Sequence, residues 1–572
     1  MRTTVLFLFA LMVSLSANAF QVDDFQERYI DLVDKTFNKN EAYSTVAFVE
    51  KYFRVVGNEG FDASIYHVAK KLERAGFVKE SAAKANDRLT YRIEKRALER
   101  KTWEPVSASL KLASGQEVLN FETNRNMIAI NSFSTGGEKK YEMLFVGDAK
   151  PSQYDEFDMK GKVVVGSGSA RMLFQEAVVK RGALGVMAYS IPSYNQPTKH
   201  VNSISFSGIG LNEEAKSFAI LLSHKAYQTI KEAASKNQNE ILLNVETRIY
   251  ESEELTLVAE LKGSKMPEER FVFSAHVQEP GANDNASGVG VLAEVAASSA
   301  RLLQANQINP ERTITYLFGD EIVSTRRYVQ EDKERAKGIK WGMSLDMVGE
   351  DTEKTGGTFL IEKMPDPGAI WVRGVEKHSE WGGRPLTKEQ LKPHYFNDLV
   401  ISVFKNIGEQ KNWEVNFNPF EGGSDHVPFL QGNIPGLLLW HFTDQFYHTD
   451  GDRLDKVSKE TMHNVGTGAL AIALMLTENE DNLANMILLN TTTKATIRLQ
   501  QEMNLSKSNI ASGADKAIEL DILNTWVDYY SKVFNTVLDT DPKNMEAFKK
   551  NLEESQSALA TYANMLRSQL KD

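Results

Sequence analysis

The sequence contains no cysteine among its 572 residues. Disulfide bonds and thiolate ligands are therefore excluded, and any metal ion has to be bound by His, Asp or Glu. The net charge of -11 argues against nucleic acid or an anionic membrane as the main partner. Low-complexity tracts and repeats at solenoid spacing are also missing. The hydrophobic content of 42% and charged content of 25% are typical of a folded chain.

Long apolar runs are scarce. The run Val5–Leu15 is shorter than the ~20 residues that a membrane span needs. It follows Arg2 and precedes the small residues Ala17-Asn18-Ala19, which is the order of a secretory signal peptide. We predict a signal peptide over residues 1–19 and export to the periplasm or the extracellular medium, with no membrane partner after cleavage. An uncleaved anchor is the alternative.

The rest of the chain divides by its hydrophobic pattern. Residues 20–139 have helical and then strand-like spacing, and we assign them to the N-terminal part of the main domain. Residues 140–250 form an insertion, and residues 251–480 continue the main domain. Residues 481–572 have helical spacing throughout. This last segment is predicted to be a helical domain that docks on the main domain or serves dimerisation.

The insertion contains the pattern of a β-α-β unit. The strand GKVVVG at residues 161–166 is followed by the helix FQEAVVKRGA and the strand LGVMAYS. This order resembles the protease-associated domain, which occurs as an insertion in exported peptidases and covers or shapes their active sites. An ordinary small α/β subdomain is the alternative.

Histidines and acids follow several apolar segments that have the length of buried strands. The carboxyl ends of strands are where open α/β sheets bind ligands. The segments are 271–275 before His276 and Asp284, 313–318 before Asp320 and Glu321, 341–348 around Asp346, and 436–442 before His448.

Two histidines and several carboxylates, without cysteine, are the ligands expected for a pair of zinc-like ions. An aspartate can bridge two such ions about 3.5–4 Å apart. The ions would lower the pKa of a shared water and polarise a carbonyl, which are the two needs of amide hydrolysis. A nearby carboxylate must then move the proton. Asp320 and Glu321 are adjacent, so one can bind metal while the other handles protons.

Five segments in this order resemble the zinc aminopeptidases of metallopeptidase family M28. They are HVQEPGANDNASG, GDE, SLDMVGE, GGSDHVPF and FYHTDGD. The resemblance covers about residues 23–478. It implies an α/β fold, a three-layer α/β/α sandwich with a mixed sheet, with the protease-associated insertion and the C-terminal helical region added. Residues 251–480 would then be the catalytic metallopeptidase domain.

The resemblance also implies roles for individual residues. One zinc ion would be held by His276, Asp284 and Asp346, and the other by Asp284, Glu321 and His448, with Asp284 bridging. Asp320 would be the proton-transfer base. The supporting or substrate-pocket residues would be Gln278, Asp425, His426 and Tyr447.

The chain departs from the family pattern at two positions. Gln278 replaces an aspartate that orients the ligand histidine, and its amide oxygen can accept that hydrogen bond without adding charge. Asp320 replaces a glutamate, so the base is one methylene shorter. In the alternative assignment, Glu321 is the base and one metal ligand is lost.

The expected function is that of an exported zinc exopeptidase, an aminopeptidase that hydrolyses the N-terminal residues of peptides through a metal-bridging hydroxide. Dipeptidase or carboxypeptidase action on the same scaffold is an alternative. Glutaminyl cyclisation, which a related branch of the superfamily performs, is a second alternative. The enzymes of that branch lack the ligand that His276 provides. The third is a metal-binding or peptide-binding homologue without turnover. The sequence predicts no oligomeric state.

A long aromatic segment separates Asp346 from His448. It is predicted to be either a lid or specificity wall at the metal site, or a satellite core beneath a loop. Its histidines are expected at the surface rather than on the metal. The residues concerned are Trp371, His378, Trp381, His394, Tyr395 and Phe396.

Overall fold

The computed structural model describes residues 22–571, apart from the side chain of residue 571. The predicted signal peptide lies outside these residues. The strands are β1 Val78–Lys79, β2 Leu89–Ala97, β3 Thr102–Leu112, β4 Glu117–Asn120, β5 Lys139–Gly147, β6 Val163–Ser167, β7 Gly185–Tyr189, β8 Phe218–Leu221, β9 Glu240–Tyr250, β10 Glu253–Leu261, β11 Met266–His276, β12 Arg312–Gly319, β13 Ile339–Leu345, β14 Thr358–Glu362, β15 Val415–Asn418 and β16 Gly436–Phe442.

The helices flank these strands and form the C-terminal part. They are α1 at 22–34, α2 Lys39–Val49, α3 Glu59–Arg74, α4 Ala170–Phe174, α5 His224–Ser235, α6 Ala286–Gln304, α7 Val323–Gln330, α8 Lys333–Gly338, α9 Thr352–Thr355, α10 Phe396–Lys411, α11 Val427–Gln431, α12 Lys459–Glu478, α13 Leu483–Ala511, α14 Lys516–Thr536 and α15 Met545–Lys571.

The main domain is built on a nine-stranded mixed sheet with the order β1-β2-β10-β12-β11-β13-β16-β14-β15. Its central strands β12, β11, β13 and β16 are parallel. Because β11 pairs with β12 on one side and with β13 on the other, the loops that leave these strands diverge at β11. Open α/β sheets bind ligands in the crevice at such a switch point.

Both faces of this sheet are covered, which explains the continuous apolar runs of its strands. Phe271 and Phe273 of β11 face a large core shared with α2, α3, α6 and α12. Val272 points the opposite way, into a smaller cluster that includes Tyr328 of α7 and Phe429 of α11. The predicted three-layer α/β/α sandwich is confirmed.

Helix α6 begins with the Asn285 side chain accepting a hydrogen bond from the Gly288 N–H, which caps its N-terminus. Among the described helices, α6 is the one long and apolar enough to cross a membrane, but its apolar window is 89% buried inside the protein. It therefore belongs to the core, where it packs against α2 and α12.

A second sheet has seven strands in the order β4-β3-β9-β5-β6-β7-β8. Its β6-α4-β7 unit matches the predicted β-α-β unit, with β6 and β7 parallel. The helix begins at Ala170, earlier than predicted, because Ser169 caps it. The sheet also includes β3, which pairs with β9. It therefore takes in residues from Thr102, ahead of the predicted insertion boundary at residue 140.

The C-terminal helices α13, α14 and α15 pack against one another. Their apolar side chains are continuous with the core of the main domain. Arg312 of β12, which is fully buried, donates hydrogen bonds to the Thr540 carbonyl and to Asp541. The helical region is thus docked on the main domain, one of the two arrangements that its pattern predicts.

Candidate metal centre

The five predicted metal ligands come together at one edge of the main sheet. His276 is the last residue of β11 and pairs in register with Gly319, the last residue of β12. Glu321 and Asp346 follow the ends of β12 and β13, and His448 lies on the loop after β16. Parallel neighbouring strands end at the same edge, so these side chains converge although they are distant in sequence.

His276 is 1% exposed and lies at the centre of the first group. Its Nε2 atom is 3.2 Å from Asp346 Oδ1 and 3.7 Å from Asp284 Oδ1. The potential ligand atoms of His276, Asp346 and Glu321 all lie within 4.8 Å of one another. Ser424 donates a 2.7 Å hydrogen bond to Asp346 Oδ2, which leaves Oδ1 directed towards His276.

His448 lies at the second group. Its Nε2 atom is 3.0 Å from Asp284 Oδ2 and 3.4 Å from Glu279 Oε2. The two oxygens of Asp284 therefore face the two histidines, one each. The sequence analysis did not identify Glu279, although it lies within the segment HVQEPG. The sequence feature that could have identified Glu279 is its position three residues after His276.

The two histidines are strongly influenced by these carboxylates. Burial lowers the pKa of His276, but Asp346 and Glu321 raise it well above its ordinary value. Burial also lowers the pKa of His448, but Glu279 contributes to raising it to about 10. Two histidines thus lie in a field of concentrated negative charge.

The carboxylates repel one another in the same space. Burial, followed by the charge of Glu279, raises the pKa of Asp284 to about 6. Burial raises the pKa of Glu321 to about 9, and Glu279 and Asp346 add to this effect. Paired divalent cations would relieve this repulsion by neutralising the carboxylates.

The donor atoms fit divalent metal ions. Within residues 22–571, neither ring nitrogen of His276 makes a hydrogen bond, and nor does Asp346 Oδ1, although these atoms are buried. Buried polar groups normally have a partner. Imidazole nitrogens and carboxylate oxygens are the donors that zinc uses in the absence of thiolates. The residues that converge here are therefore suited to hold two zinc-like ions.

Asp320 lies beside the centre, directly after β12. Its backbone N–H donates a 2.8 Å hydrogen bond to Ser324 Oγ. Burial, together with the charges of Glu254 and Asp425 and against that of His276, raises the pKa of the Asp320 carboxyl to about 7. The side chain is thus partly buried and free of a salt bridge among the described residues, as a proton-transfer group needs.

Gln278 does not orient His276. Its amide oxygen accepts a 2.9 Å hydrogen bond from the backbone N–H of Glu321, and its amide nitrogen lies 3.5 Å from Glu321 Oε2. The hydrogen bond that the resemblance assigns to this position is therefore replaced by a contact with a neighbouring predicted ligand. The physical reason is that the loop turns Gln278 towards the end of β12.

The other supporting residues hold the surrounding loops. Asp425 Oδ1 accepts a hydrogen bond from the Ile322 N–H at 2.5 Å. His426 is fully buried, and its Nε2 atom lies 2.9 Å from Glu362 Oε1. Tyr447 stacks on His448 with ring centroids 3.7 Å apart. Asp425 and His426 are thus fixed within the protein, whereas Tyr447 flanks a metal ligand.

The aromatic segment divides between the two predicted roles. Tyr395 and Phe396 are fully buried in the main core. His394 Nε2 lies 2.8 Å from Asp539 of the C-terminal helical region. Trp381, in contrast, is 41% exposed and lies against Gly423, next to Ser424 of the centre. Its position is that of a wall at the rim of the site.

A further acid and an arginine, which the sequence analysis did not single out, shape the loop that carries Asp284. Asp452 accepts hydrogen bonds from the backbone N–H groups of Asn283 and Asp284, at 2.8 and 3.0 Å. Arg54 is buried and donates to the carbonyl oxygens of Val277 and Gly281, at 2.7 and 2.8 Å. Because Arg54 is remote in sequence, no local pattern indicates this contact.

We expect Arg54→Met to destabilise the protein and to weaken metal binding. Each buried carbonyl that loses its donor costs about 1–3 kcal/mol, and the loop that carries Asp284 loses its support. Arg88→Met is the matched control, since Arg88 also donates to backbone carbonyls, those of Lys262 and Pro310. Urea unfolding and zinc titration measure both effects. Equal zinc affinities in the two variants would contradict a role for Arg54 at the centre.

The insertion contacts the loop that carries His448. The Phe206 N–H donates a 2.9 Å hydrogen bond to the His448 carbonyl, and the Phe206 ring lies 4.6 Å from the His448 ring. Ile204 and Asp450 exchange hydrogen bonds through the Ile204 N–H and carbonyl. These contacts connect the seven-stranded sheet to a predicted metal ligand.

We therefore expect Phe206→Ala to lower the zinc affinity of the His448 site about 10–100-fold, the range found when groups that orient a ligand are removed. The stability of the main domain should change little. Phe157→Ala is the control, because Phe157 packs against the core of the insertion. Competition with a chelator measures the affinity, and an unchanged affinity in Phe206→Ala would show that the contact does not position His448.

The comparison with protein families gives one match. The profile of Peptidase family M28 matches residues 256–473. This range contains all five predicted ligands, Asp320 and Glu279.

Characterised relatives are distant. Aminopeptidase YwaD of Bacillus subtilis (strain 168) is 23% identical over 331 residues, which are 54% of this chain and 61% of that protein. A Glutamate carboxypeptidase 2 homolog of Caenorhabditis briggsae is 21% identical over 330 residues, 55% of this chain and 41% of its own length. The chain thus spans less than two thirds of either relative.

Solved structures share the fold. A Peptidase M28 precursor from Shewanella amazonensis SB2B has a TM-score of 0.54 at 17% identity, covering 79% of this chain and 97% of that one. A zinc aminopeptidase from Bacillus subtilis has a TM-score of 0.52 at 17% identity, covering 76% and 94%. The chain thus resembles peptidase family M28 over residues 256–473, and it shares its fold with these solved structures.

Proposed function

We propose that this protein is an exported zinc-dependent exopeptidase, an aminopeptidase that removes N-terminal residues from peptides. The observation that carries the proposal is the convergence of the two histidines and three carboxylates of the centre beside an additional carboxyl group, that of Asp320. The match of residues 256–473 to the profile of family M28 and the similarity to an aminopeptidase of Bacillus subtilis support it.

In this proposal His276, Asp284 and Asp346 would hold one zinc ion and His448 would hold the other, with Asp284 available to both. Asp284 is suited to sharing because its two oxygens face different histidines. When bound, the ions acidify a water molecule and polarise the scissile carbonyl.

Asp320 moves the proton. A carboxylate oxygen of Asp320 accepts the proton of the attacking water and then donates it to the nitrogen of the leaving amine. The hydrogen bond from the Asp320 backbone N–H to Ser324 Oγ holds this residue at the end of β12. Glu321 is left to its contacts with His276 and Asp346.

The surrounding charges favour a substrate with a free amino terminus. Acids around the centre outnumber arginines, and the carboxyl groups of Asp320 and Asp425 lie beside the centre in addition to those that would hold the ions. Arg54, the buried arginine at the loop, is engaged with backbone carbonyls. An acidic site attracts the α-ammonium group of a peptide and repels a terminal carboxylate.

A cavity beside His448 provides room for a substrate side chain. It measures about 220 Å³ and lies between the insertion and the metal centre. Its lining is mostly uncharged and includes Ser190, Tyr194, Phe206 and Leu222. We propose that the insertion is a protease-associated domain that shapes the substrate site from this side.

Carboxypeptidase action is the second candidate. The observation that favours it is the similarity to the Glutamate carboxypeptidase 2 homolog of Caenorhabditis briggsae. The acidic surroundings of the centre argue against it, because a carboxypeptidase has to bind a terminal carboxylate.

Peptides blocked at one end distinguish these candidates. Purified protein is incubated with a free peptide, its N-acetylated form and its C-amidated form, with zinc and after chelation. We expect chelator-sensitive release of N-terminal residues from the free and amidated peptides only. Cleavage of the acetylated but not the amidated peptide would indicate a carboxypeptidase. Bound zinc without cleavage of any peptide would refute the proposed activity.

Export is proposed from the N-terminal sequence, where Ala17-Asn18-Ala19 forms the predicted cleavage site. N-terminal sequencing of the protein recovered from the periplasm or the medium should begin near Phe20. Recovery only from the cytoplasm, with the N-terminus intact, would refute it.

A further inference from the structure

We infer that Glu279 is a metal ligand and that it binds, together with Asp284 and His448, the second of the two ions. This inference rests on the metal centre of the proposed function and deepens it. The resemblance to family M28 assigns the third ligand of this ion to Glu321 instead. The geometry of the loop after β11 points to the different assignment.

The position of the Glu279 carboxylate supports this assignment. Its Oε2 atom lies 3.4 Å from His448 Nε2. The ligand atoms of Glu279, Asp284 and His276 all lie within 4.8 Å of one another. An ion between Asp284 and His448 is therefore also next to Glu279. The His276 nitrogens are buried and make no hydrogen bonds within the described chain. The cluster therefore contains buried donor atoms without a partner, which a group of surface acids would not.

The backbone conformation also directs Glu279 inward. Glu279 has a φ angle of +80°, a conformation that residues with side chains rarely adopt. Its N–H donates a 3.0 Å hydrogen bond to the Arg54 carbonyl. The guanidinium of Arg54 in turn binds the carbonyls of Val277 and Gly281 on either side. Arg54 thus holds this strained turn by donating two hydrogen bonds and accepting one, and such strain is typical of functional sites.

The position of Glu321 agrees with the same assignment. Its ligand atom groups with those of His276 and Asp346, at the first ion. The side chain of Gln278 contacts both the backbone and the carboxylate of Glu321. Relative to the family pattern, the chain has lost an acid at position 278 and has an acid at position 279. The acid at position 279 lies beside His448.

The test is the zinc affinity and stoichiometry of Glu279→Gln, which removes the charge and keeps the size of the side chain. Metal-free protein is titrated with zinc against a chromophoric chelator, and the cobalt(II) absorption spectrum provides a second readout. We expect the wild type to bind two ions and Glu279→Gln to bind one of them at least about tenfold more weakly. The control Glu353→Gln removes an exposed carboxylate on α9 and should bind both ions normally.

Double variants that contain His448→Ala show which of the two ions Glu279 binds. His448→Ala removes another ligand of the second site, so adding Glu279→Gln to it should change the remaining affinity little, whereas adding Glu321→Gln should weaken it further. Glu279→Asp retains a carboxylate and should show an intermediate loss. It also provides the measurement if the glutamine variant does not fold.

Two results would overturn the inference. One is a Glu279→Gln protein that binds both ions within about twofold of the wild type, well below the expected loss. The other is a further loss when Glu279→Gln is added to His448→Ala, which would place Glu279 at the first ion. Neither depends on catalysis. A wild type that binds two ions without cleaving peptides would refute the proposed activity but leave this assignment intact.

Discussion

Replacing Asp320 by Asn is expected to lower kcat about 10²–10⁴-fold while both zinc ions stay bound, because general acid-base catalysis contributes an acceleration of this size. Asn cannot accept the proton of the attacking water or return it to the leaving amine. The backbone hydrogen bond to Ser324 is unaffected by the change. Steady-state kinetics on a free peptide and zinc analysis of the same sample measure both quantities.

Two further variants make this prediction specific. Asp320→Glu restores the longer base of family M28 and should retain substantial activity. Glu321→Gln should weaken zinc binding, because its carboxylate groups with those of Asp346 and His276. If Glu321→Gln instead keeps both ions and loses turnover while Asp320→Asn stays active, Glu321 is the base. That outcome would establish the alternative assignment.

Replacing Asp284 by Asn is expected to weaken the binding of both ions and to reduce activity to the level of the chelated protein. Asp284 is the carboxylate that lies near both histidines, 3.7 Å from His276 Nε2 and 3.0 Å from His448 Nε2. An amide in its place provides no negative charge to be shared between two cations. The zinc stoichiometry should therefore fall below one ion per chain at concentrations that saturate the wild type.

Comparison with Asp346→Asn distinguishes bridging from ordinary ligation. Asp346 contacts His276 and should affect one ion only. Asp455→Asn, at an exposed position near the same loops, is the control for lost charge. A variant Asp284→Asn that releases one ion and keeps the other at wild-type affinity would contradict the shared position of Asp284.

Much of the fold could be predicted from hydrophobic patterning. The apolar runs around Phe271 and Leu317 are long enough for buried strands, and the spacing after Ser287 is that of a helix. The extent of the seven-stranded sheet could not be predicted in this way. Strand β3 joins that sheet because it pairs with β9, and a pairing between strands so distant in sequence leaves no mark in local periodicity.

The site could be predicted in part. His276, Asp346 and His448 stand at or after the ends of apolar strands, a local feature that a single sequence displays. The partners of Gln278 could not be predicted, because the direction of its side chain depends on the turn that follows β11. The same turn brings Glu279 next to His448, although the two are far apart in the chain.

The sequence by itself determined the chemistry that is available to this protein. The absence of cysteine, the acids and histidines at the ends of apolar strands and five ordered motifs predicted the α/β fold class, the resemblance to family M28 and the side chains that converge at the centre. Only the tertiary structure decided how those side chains group around His276 and His448 and which contacts support them. Arg54, Phe206 and Glu279 act through contacts between distant segments. Such contacts depend on strand order and loop direction, which follow from packing the whole chain and not from any local pattern.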